Sequence, residues 1–175
     1  MSINKRRHFH TFDALRFIAV FLVFLLHIPI YSIPFLNYFN KSGGIGVQFF
    51  FVLSGFLITY IILFEKENKG KLNLKNFFVR RVLRIWPLFY AMITFAFLTP
   101  FILETLELSH SNKGYDPNWL MSCLFLENYQ MMFLDSAPNI SPLPVMWSLC
   151  VEEHFYLIWG ILFYLLPIKR VPLII

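Results

Sequence analysis

The stretch FDALRFIAVFLVFLLHIPIYSI, residues 12–33, decides the fold class of this chain. A helix needs about 20 predominantly apolar residues to cross the hydrocarbon core of a bilayer, and this stretch is long enough. Arg16 and His27 lie inside it, and ionisable residues in such a span are functional candidates. At about 100° and 1.5 Å per residue, these two side chains lie about 20° apart around a helix and about 16 Å apart along it. They therefore share one face. Pro29 cannot donate to the carbonyl of Leu25, which predicts a loosened helix beside His27.

The composition of the chain indicates an integral membrane protein. Of its 175 residues, 58% are hydrophobic and 14% are charged, and its mean hydropathy is +0.62, whereas soluble domains have about 25% charged residues. The net charge of +5 comes from basic residues beside the apolar runs, which is typical of membrane orientation. We therefore expect the lipid bilayer as a partner and no nucleic acid. The first span follows Lys5, Arg6 and Arg7, is too long for a signal-peptide core and has no cleavage site after it, so we expect it to be retained.

Four runs along the chain are long and apolar enough to span a membrane. They cover residues 12–33, 45–64, 85–103 and 146–168, which predicts an all-α polytopic transmembrane helix bundle. The region 104–145 is mixed, and its apolar piece 119–134 carries Glu127. We expect that piece to be interfacial or partly buried.

The charge distribution predicts the orientation of these spans. Basic residues accumulate at the N-terminus, at 65–84 and at 169–170, whereas the 104–145 segment has five acidic residues and one lysine. Because basic residues mark cytoplasmic loops, both ends are predicted to be cytoplasmic. The glycines at positions 43, 44 and 46 would then form a turn on the outer side.

The two cysteines, Cys123 and Cys150, lack the paired spacing of a metal site or a disulfide framework. We interpret both as apolar packing residues, and we expect no metal. A single disulfide is the alternative if both lie near the outer surface.

Four motifs of this sequence resemble those of one family, in the family's order. They are Arg16 with His27, FFVLSGF at 50–56, RVLR at 81–84 before IWP, and WSLCVEEHFYL at 147–157. The chain resembles the membrane acyltransferase 3 family, which acylates sugars and similar hydroxyl-bearing acceptors. The resemblance implies that residues 1–175 are the N-terminal part of a larger helix bundle. Residues 171–175 look like the opening of a further span, so we expect a chain truncated at its C-terminus.

Acyl transfer to a hydroxyl needs a base, and a neutral imidazole suits this role, which makes His27 the candidate. An apolar setting favours the neutral form. The alternative is that His27 only bonds a neighbouring helix. For Arg16, the alternative is snorkelling to the cytoplasmic surface. The family resemblance implies instead that Arg16 positions the acyl donor or holds charge near His27.

Arg81 and Arg84 lie one helical turn apart and face the same way. Guanidinium forks match phosphate oxygens, so we predict that both bind the phosphates of a coenzyme A thioester. Such basic clusters also set topology or contact anionic lipid, and that alternative stays open.

Glu152 is the acidic candidate of the fourth span. The interaction of an acidic residue with the helix dipole in the first turns would explain both it and Glu153. The functional alternative is that Glu152 orients a histidine or binds the acceptor's hydroxyls, while Glu153 points elsewhere on the helix. Ser54 is interpreted as a close-packing residue instead of a nucleophile.

These observations predict an O-acyltransferase of the bacterial inner (cytoplasmic) membrane with a cytoplasmic N-terminus. It would move an acyl group, expected to be acetyl, from cytoplasmic acetyl-CoA or another acyl-CoA to a hydroxyl of an extracytoplasmic glycan. His27, Arg16 and Glu152 are the predicted catalytic residues. Attack can be direct or pass through an acylated side chain. The competing hypothesis is a non-catalytic membrane protein, either a transporter piece or an inactive truncated remnant.

Overall fold

The structure is a computed structural model that describes residues 9–27, 43–108, 113–140 and 142–167. Every regular element within these ranges is a helix. The helices are α1 (His10–His27), α2 (Gly43–Lys69), α3 (Leu74–Thr105), α4 (Trp119–Cys123), α5 (Glu127–Leu134) and α6 (Leu143–Leu165). Helices α1, α2, α3 and α6 are long and apolar enough to cross a membrane. The predicted all-α fold with four spans is therefore confirmed.

Helix α3 begins at Leu74, well before the predicted residue 85. Asn73 caps it, because its side-chain oxygen accepts a hydrogen bond of 3.0 Å from the backbone N–H of Asn76. The helix then continues through Pro87 and Pro100. All of the basic cluster at 80–84 consequently lies inside a helix that is continuous with the third span.

The prediction of a glycine turn at positions 43–46 is wrong, because these residues form the start of α2. The reason is packing in the first of two compact units, which comprises Met1–Leu72 and Leu166–Ile175. A Cβ at Gly46 would lie 2.8 Å from the carbonyl oxygen of Ala19 on α1. Glycine here permits a close approach of two helix backbones, as is usual for small residues in membrane helices.

Helices α1 and α2 pack antiparallel in this first unit. Ala19 of α1 meets Gly46 near the start of α2, while the rings of Phe12 and Phe56 lie 5.2 Å apart further along α2. The predicted loosening of the helix beside His27 depends on Pro29, which lies outside the described residues.

The second unit, Asn73–Leu165, contains α3 to α6. Helices α3 and α6 run antiparallel and share its core. The buried core residues are Phe89, Ile93, Ala96, Phe125, Leu143, Met146 and Cys150. Both cysteines are free thiols and Cys150 is fully buried. The interpretation of Cys150 as an apolar packing residue is confirmed.

The turn between α4 and α5 places an aromatic ring in that core. Phe125 has a φ of +61°, a left-handed conformation that costs a non-glycine residue roughly 1–2 kcal/mol. Its ring stacks on Phe89 with the centroids 3.7 Å apart. Burial and stacking of the ring offset the backbone cost and fix α4 and α5 against α3.

Candidate functional site

The first unit places Arg16 and His27 on one continuous helix. Because α1 runs unbroken from His10 to His27, the two side chains keep the predicted spacing along a shared face. Arg16 is partly buried, and its Nε has no hydrogen-bond partner among the described residues. His27 is the last residue of α1 and is exposed.

The buried face of α2 contains Ser54. This serine is 2% exposed, and its hydroxyl oxygen has no hydrogen-bond partner within the described part of the chain. Among the described residues no base is bonded to Ser54, and its burial is that expected of a close-packing residue.

In the second unit, the predicted arginine pair separates into two environments. Arg84 is exposed, whereas Arg81 is partly buried. The Cζ atom of Arg81 lies 5.1 Å from the ring centroid of Tyr156 and 5.7 Å from that of Phe77. Both distances are within the range of a cation–π interaction. The guanidinium of Arg81 therefore contacts two aromatic rings, and the cation–π contacts of the described residues include none of Arg84.

Glu152 lies beside this arginine. It is 9% exposed, accepts a hydrogen bond from the hydroxyl of Tyr156, and lies within electrostatic range of Arg81. The helix-dipole explanation of Glu152 is wrong, because α6 begins at Leu143 and its first turn has no acidic residue. We name Phe77, Arg81, Glu152 and Tyr156 the Arg81 cluster.

Glu153 faces a different partner, as its position on the helix predicts. Its Oε1 accepts a hydrogen bond of 3.0 Å from the indole N–H of Trp86. Its other oxygen is buried and has no hydrogen-bond partner among the described residues. Sequence reasoning did not identify this Trp86–Glu153 contact.

In the second unit, a second buried carboxylate lies in the segment that connects the third and fourth spans. Glu127 is 1% exposed and accepts hydrogen bonds from the hydroxyls of Tyr115 and Ser122. Burial, followed by the hydrogen bond to this carboxylate, raises the pKa of Tyr115 above its usual range. The apolar run around Glu127 was the sequence signal for partial burial, but its hydroxyl partners were not predictable from that signal.

The structure thus brings two of the predicted site residues together. Arg81 and Glu152 share one cluster in the second unit, and Arg16 and His27 share one helix in the first. Sequence reasoning missed Tyr156, although it lies four residues after Glu152 and so on the same helical face. Within the ranges that the structure describes, no three His, Cys, Asp or Glu side chains are grouped as metal ligands.

The fold and these charged groups define a helical membrane protein with ionisable residues inside its candidate spans. A family model described as an acyltransferase domain matches residues 9–175. The chain belongs to this family, the membrane acyltransferase 3 family that its motifs resemble.

Curated relatives agree with this assignment. The chain is 38% identical over 162 residues to the peptidoglycan O-acetyltransferase OatA of Listeria monocytogenes, covering 89% of this chain and 24% of the relative. Identity and coverage are the same for the putative peptidoglycan O-acetyltransferase YrhL of Bacillus subtilis. A putative O-acetyltransferase of Staphylococcus aureus is 31% identical over 175 residues, covering 95% of this chain and 27% of the relative. The chain therefore spans about a quarter of the length of these relatives. No solved structure is significantly similar to it.

Proposed function

We propose that the protein is part of an O-acyltransferase that moves an acetyl group from cytoplasmic acetyl-CoA to a hydroxyl of an extracytoplasmic glycan. The names of the relatives support O-acetylation, and two of them specify peptidoglycan. Peptidoglycan is therefore the first acceptor to test. Family membership supports an acyl donor, and the choice of coenzyme A rests on the arginines of α3.

The Arg81 cluster is the observation that carries this proposal. Arg81 is a partly buried guanidinium whose Nε has no hydrogen-bond partner among the described residues. A buried donor without an acceptor is costly, and a phosphate oxygen is a strong charge-assisted acceptor for it. In this proposal Arg81 and the exposed Arg84 bind the phosphates of the donor. Glu152 lies beside Arg81 and accepts a hydrogen bond from Tyr156.

The chemical step is assigned to α1. His27 accepts the proton of the acceptor hydroxyl, whose oxygen attacks the thioester carbonyl. The carbon–sulfur bond then breaks, and the leaving thiolate of coenzyme A takes that proton from His27, which regenerates the neutral imidazole. Arg16 aligns the thioester arm of the donor. An acylated side chain as an intermediate stays an alternative to direct attack.

The proposed location is the bacterial cytoplasmic membrane, with the N-terminus on the cytoplasmic side. The support is the excess of Lys and Arg at the N-terminus, at 65–84 and at 169–170. In this orientation the basic start of α3 faces the compartment that contains acetyl-CoA.

The test is acetyl transfer from labelled acetyl-CoA to peptidoglycan fragments, measured in membranes of cells that produce the whole protein. We expect His27→Ala to lower the rate by about 10²–10⁴-fold, which is the usual contribution of a general base. His10→Ala is the matched control, because His10 lies at the exposed start of the same helix.

Three outcomes have distinct meanings at equal membrane abundance of the variants. Loss of transfer in His27→Ala alone supports the proposal. Unchanged transfer in that variant removes His27 from the role of base. Absence of both transfer and release of free coenzyme A in the unmodified protein contradicts the enzyme, and supports the alternative of a carrier or an inactive remnant.

A further inference from the structure

The aromatic ring of Tyr156 lies against the guanidinium of Arg81, with 5.1 Å between Cζ and the ring centroid. Tyr156 is 4% exposed, so its side chain is buried among neighbouring residues. Phe77 provides a second ring at 5.7 Å from the same Cζ. The guanidinium therefore lies within cation–π distance of both rings, and its Nε has no hydrogen-bond partner among the described residues.

Phe77 has little freedom to move away from Arg81. It is buried, and a Cβ at Gly160 would lie 2.8 Å from its Cε1 atom. The glycine thus leaves the space that the Phe77 ring fills. Helices α3 and α6 approach closely at this point, which keeps both rings next to the guanidinium.

The hydroxyl of Tyr156 donates a hydrogen bond to Glu152. Glu152 is also within electrostatic range of Arg81. Even so, the described residues include no ion pair between these two side chains. The tyrosine hydroxyl therefore holds one carboxylate oxygen of Glu152, an anionic neighbour of Arg81, in a hydrogen bond.

We propose that Tyr156 is a positioning residue that keeps Arg81 available to an anionic ligand, by packing its ring against the guanidinium and by engaging Glu152 through its hydroxyl. This inference rests on the proposed function, in which that ligand is a phosphate group of the acyl-CoA donor. Loss of the hydroxyl releases the carboxylate. Glu152 then pairs with Arg81 and competes with the donor phosphate.

The experiment measures the dissociation constant of coenzyme A for the whole protein, purified in detergent. We expect Tyr156→Phe to weaken binding about tenfold, because a charged pair of about 1.4 kcal/mol then competes with the ligand. The double variant Tyr156→Phe with Glu152→Gln removes the competing charge and is expected to restore binding to near that of the unmodified protein. Tyr164→Phe, an exposed tyrosine on the same helix, is the matched control and is expected to bind normally.

Restoration by the second substitution is the result that a purely structural role would not give. Normal binding by Tyr156→Phe overturns the inference, as does weak binding that the double variant fails to restore. If Tyr156→Phe does not fold, the single variant Glu152→Gln decides. It is expected to bind coenzyme A at least as tightly as the unmodified protein, and a tenfold loss would contradict the competition. Absence of binding by the unmodified protein instead contradicts the proposed function.

Discussion

Arg16 in the first unit and Arg81 in the second are both predicted to interact with the acyl donor, but their surroundings differ. Both are partly buried, and in both the Nε has no hydrogen-bond partner among the described residues. Arg81 contacts the rings of Phe77 and Tyr156 and lies beside Glu152. Among the described cation–π contacts, those of Arg81 have no counterpart at Arg16.

This difference shows how much of a charged side chain's geometry is set by its neighbours. Contact with two rings restricts the Arg81 guanidinium before any ligand arrives, which lowers the entropy cost of binding. Arg16 contributes a charge from α1 without that preorganisation by aromatic rings. Donor binding should therefore depend on the shape of Arg81 and on the charge of Arg16.

Exchange of each arginine for lysine tests this contrast most directly and has the largest expected effect. Arg81→Lys is expected to lower kcat/KM for acetyl-CoA by about 10–100-fold, because lysine has neither the planar face nor the fork. Arg16→Lys keeps the charge and is expected to cost less than about threefold.

Arg80→Lys is the control for both, since Arg80 is exposed on α3 and has no assigned role in binding. The measurement is acetyl transfer in membranes containing the whole protein. A loss in Arg16→Lys as large as that in Arg81→Lys would break the comparison. It would mean that Arg16 also binds through its fork.

The glycines at the two helix contacts sharpen the comparison at an intermediate scale. Gly46→Ala is expected to destabilise the protein by about 1–3 kcal/mol, because its Cβ meets a backbone oxygen that cannot rotate away. Gly160→Ala is expected to cost a similar amount, and also to raise KM for acetyl-CoA by displacing the Phe77 ring. Only the second unit should couple packing to donor binding.

Thermal unfolding in detergent measures the stability, and the transfer assay measures KM. Gly44→Ala is the control, since no atom lies within 4 Å of a Cβ built there. It is expected to leave both quantities unchanged. An increase in KM for Gly46→Ala equal to that for Gly160→Ala would remove the distinction between the units.

The pH dependence of stability tests the hydrogen bond between Tyr115 and the buried Glu127 in the second unit. Of the predicted effects, this one is expected to be the smallest. The folded state raises the pKa of Tyr115 above its ordinary value of 10.0. Below that pH the tyrosine is protonated in both states, and its contribution to stability is fully present. As pH rises further, the unfolded chain loses the proton first, so stability falls by at most about 1.4 kcal/mol per pH unit.

Unfolding of the purified protein at pH 9 and pH 11 measures this loss. Tyr115→Phe lacks both the titration and the hydrogen bond to Glu127, so its stability is lower at pH 9 and falls less toward pH 11. Tyr164→Phe, an exposed tyrosine, should behave as the unmodified protein does. Equal falls in Tyr115→Phe and in the unmodified protein would contradict the raised pKa.

The four candidate spans were predictable because lipid requires long apolar helices, and that requirement is visible in hydropathy alone. The start of α3 was not predictable from hydropathy. The apolar run begins only after the basic residue Arg84, whereas the helix begins at Leu74 and is capped by Asn73. The glycines at 43–46 were misinterpreted for a related reason. A glycine that permits a turn and one that permits close helix contact look the same in a sequence.

Helical spacing predicted that Arg81 and Arg84 lie one turn apart on a helix, but not that Arg81 is partly buried while Arg84 is exposed. The site was not predictable where it depends on contacts between distant segments. The approach of Tyr156 to Arg81, and of Tyr115 to Glu127, is set by the packing of separate parts of the chain. No local pattern encodes those distances. The proposed roles of Arg16, His27, Glu152, Arg81 and Arg84 stay predictions until the variants are measured.

The length of α3 has a mechanical consequence. Its 32 residues extend about 48 Å, whereas the hydrocarbon core of a bilayer is about 30 Å thick. Arg81 therefore lies on a helical extension of the membrane-crossing part of α3, and Pro87, which cannot donate a hydrogen bond to the helix ladder, lies near their junction. A change of about 10° in the tilt of α3 displaces a point about 16 Å along the helix by about 3 Å. Because helix tilt responds to bilayer thickness, we expect the position of Arg81 to depend on the thickness of the surrounding lipid.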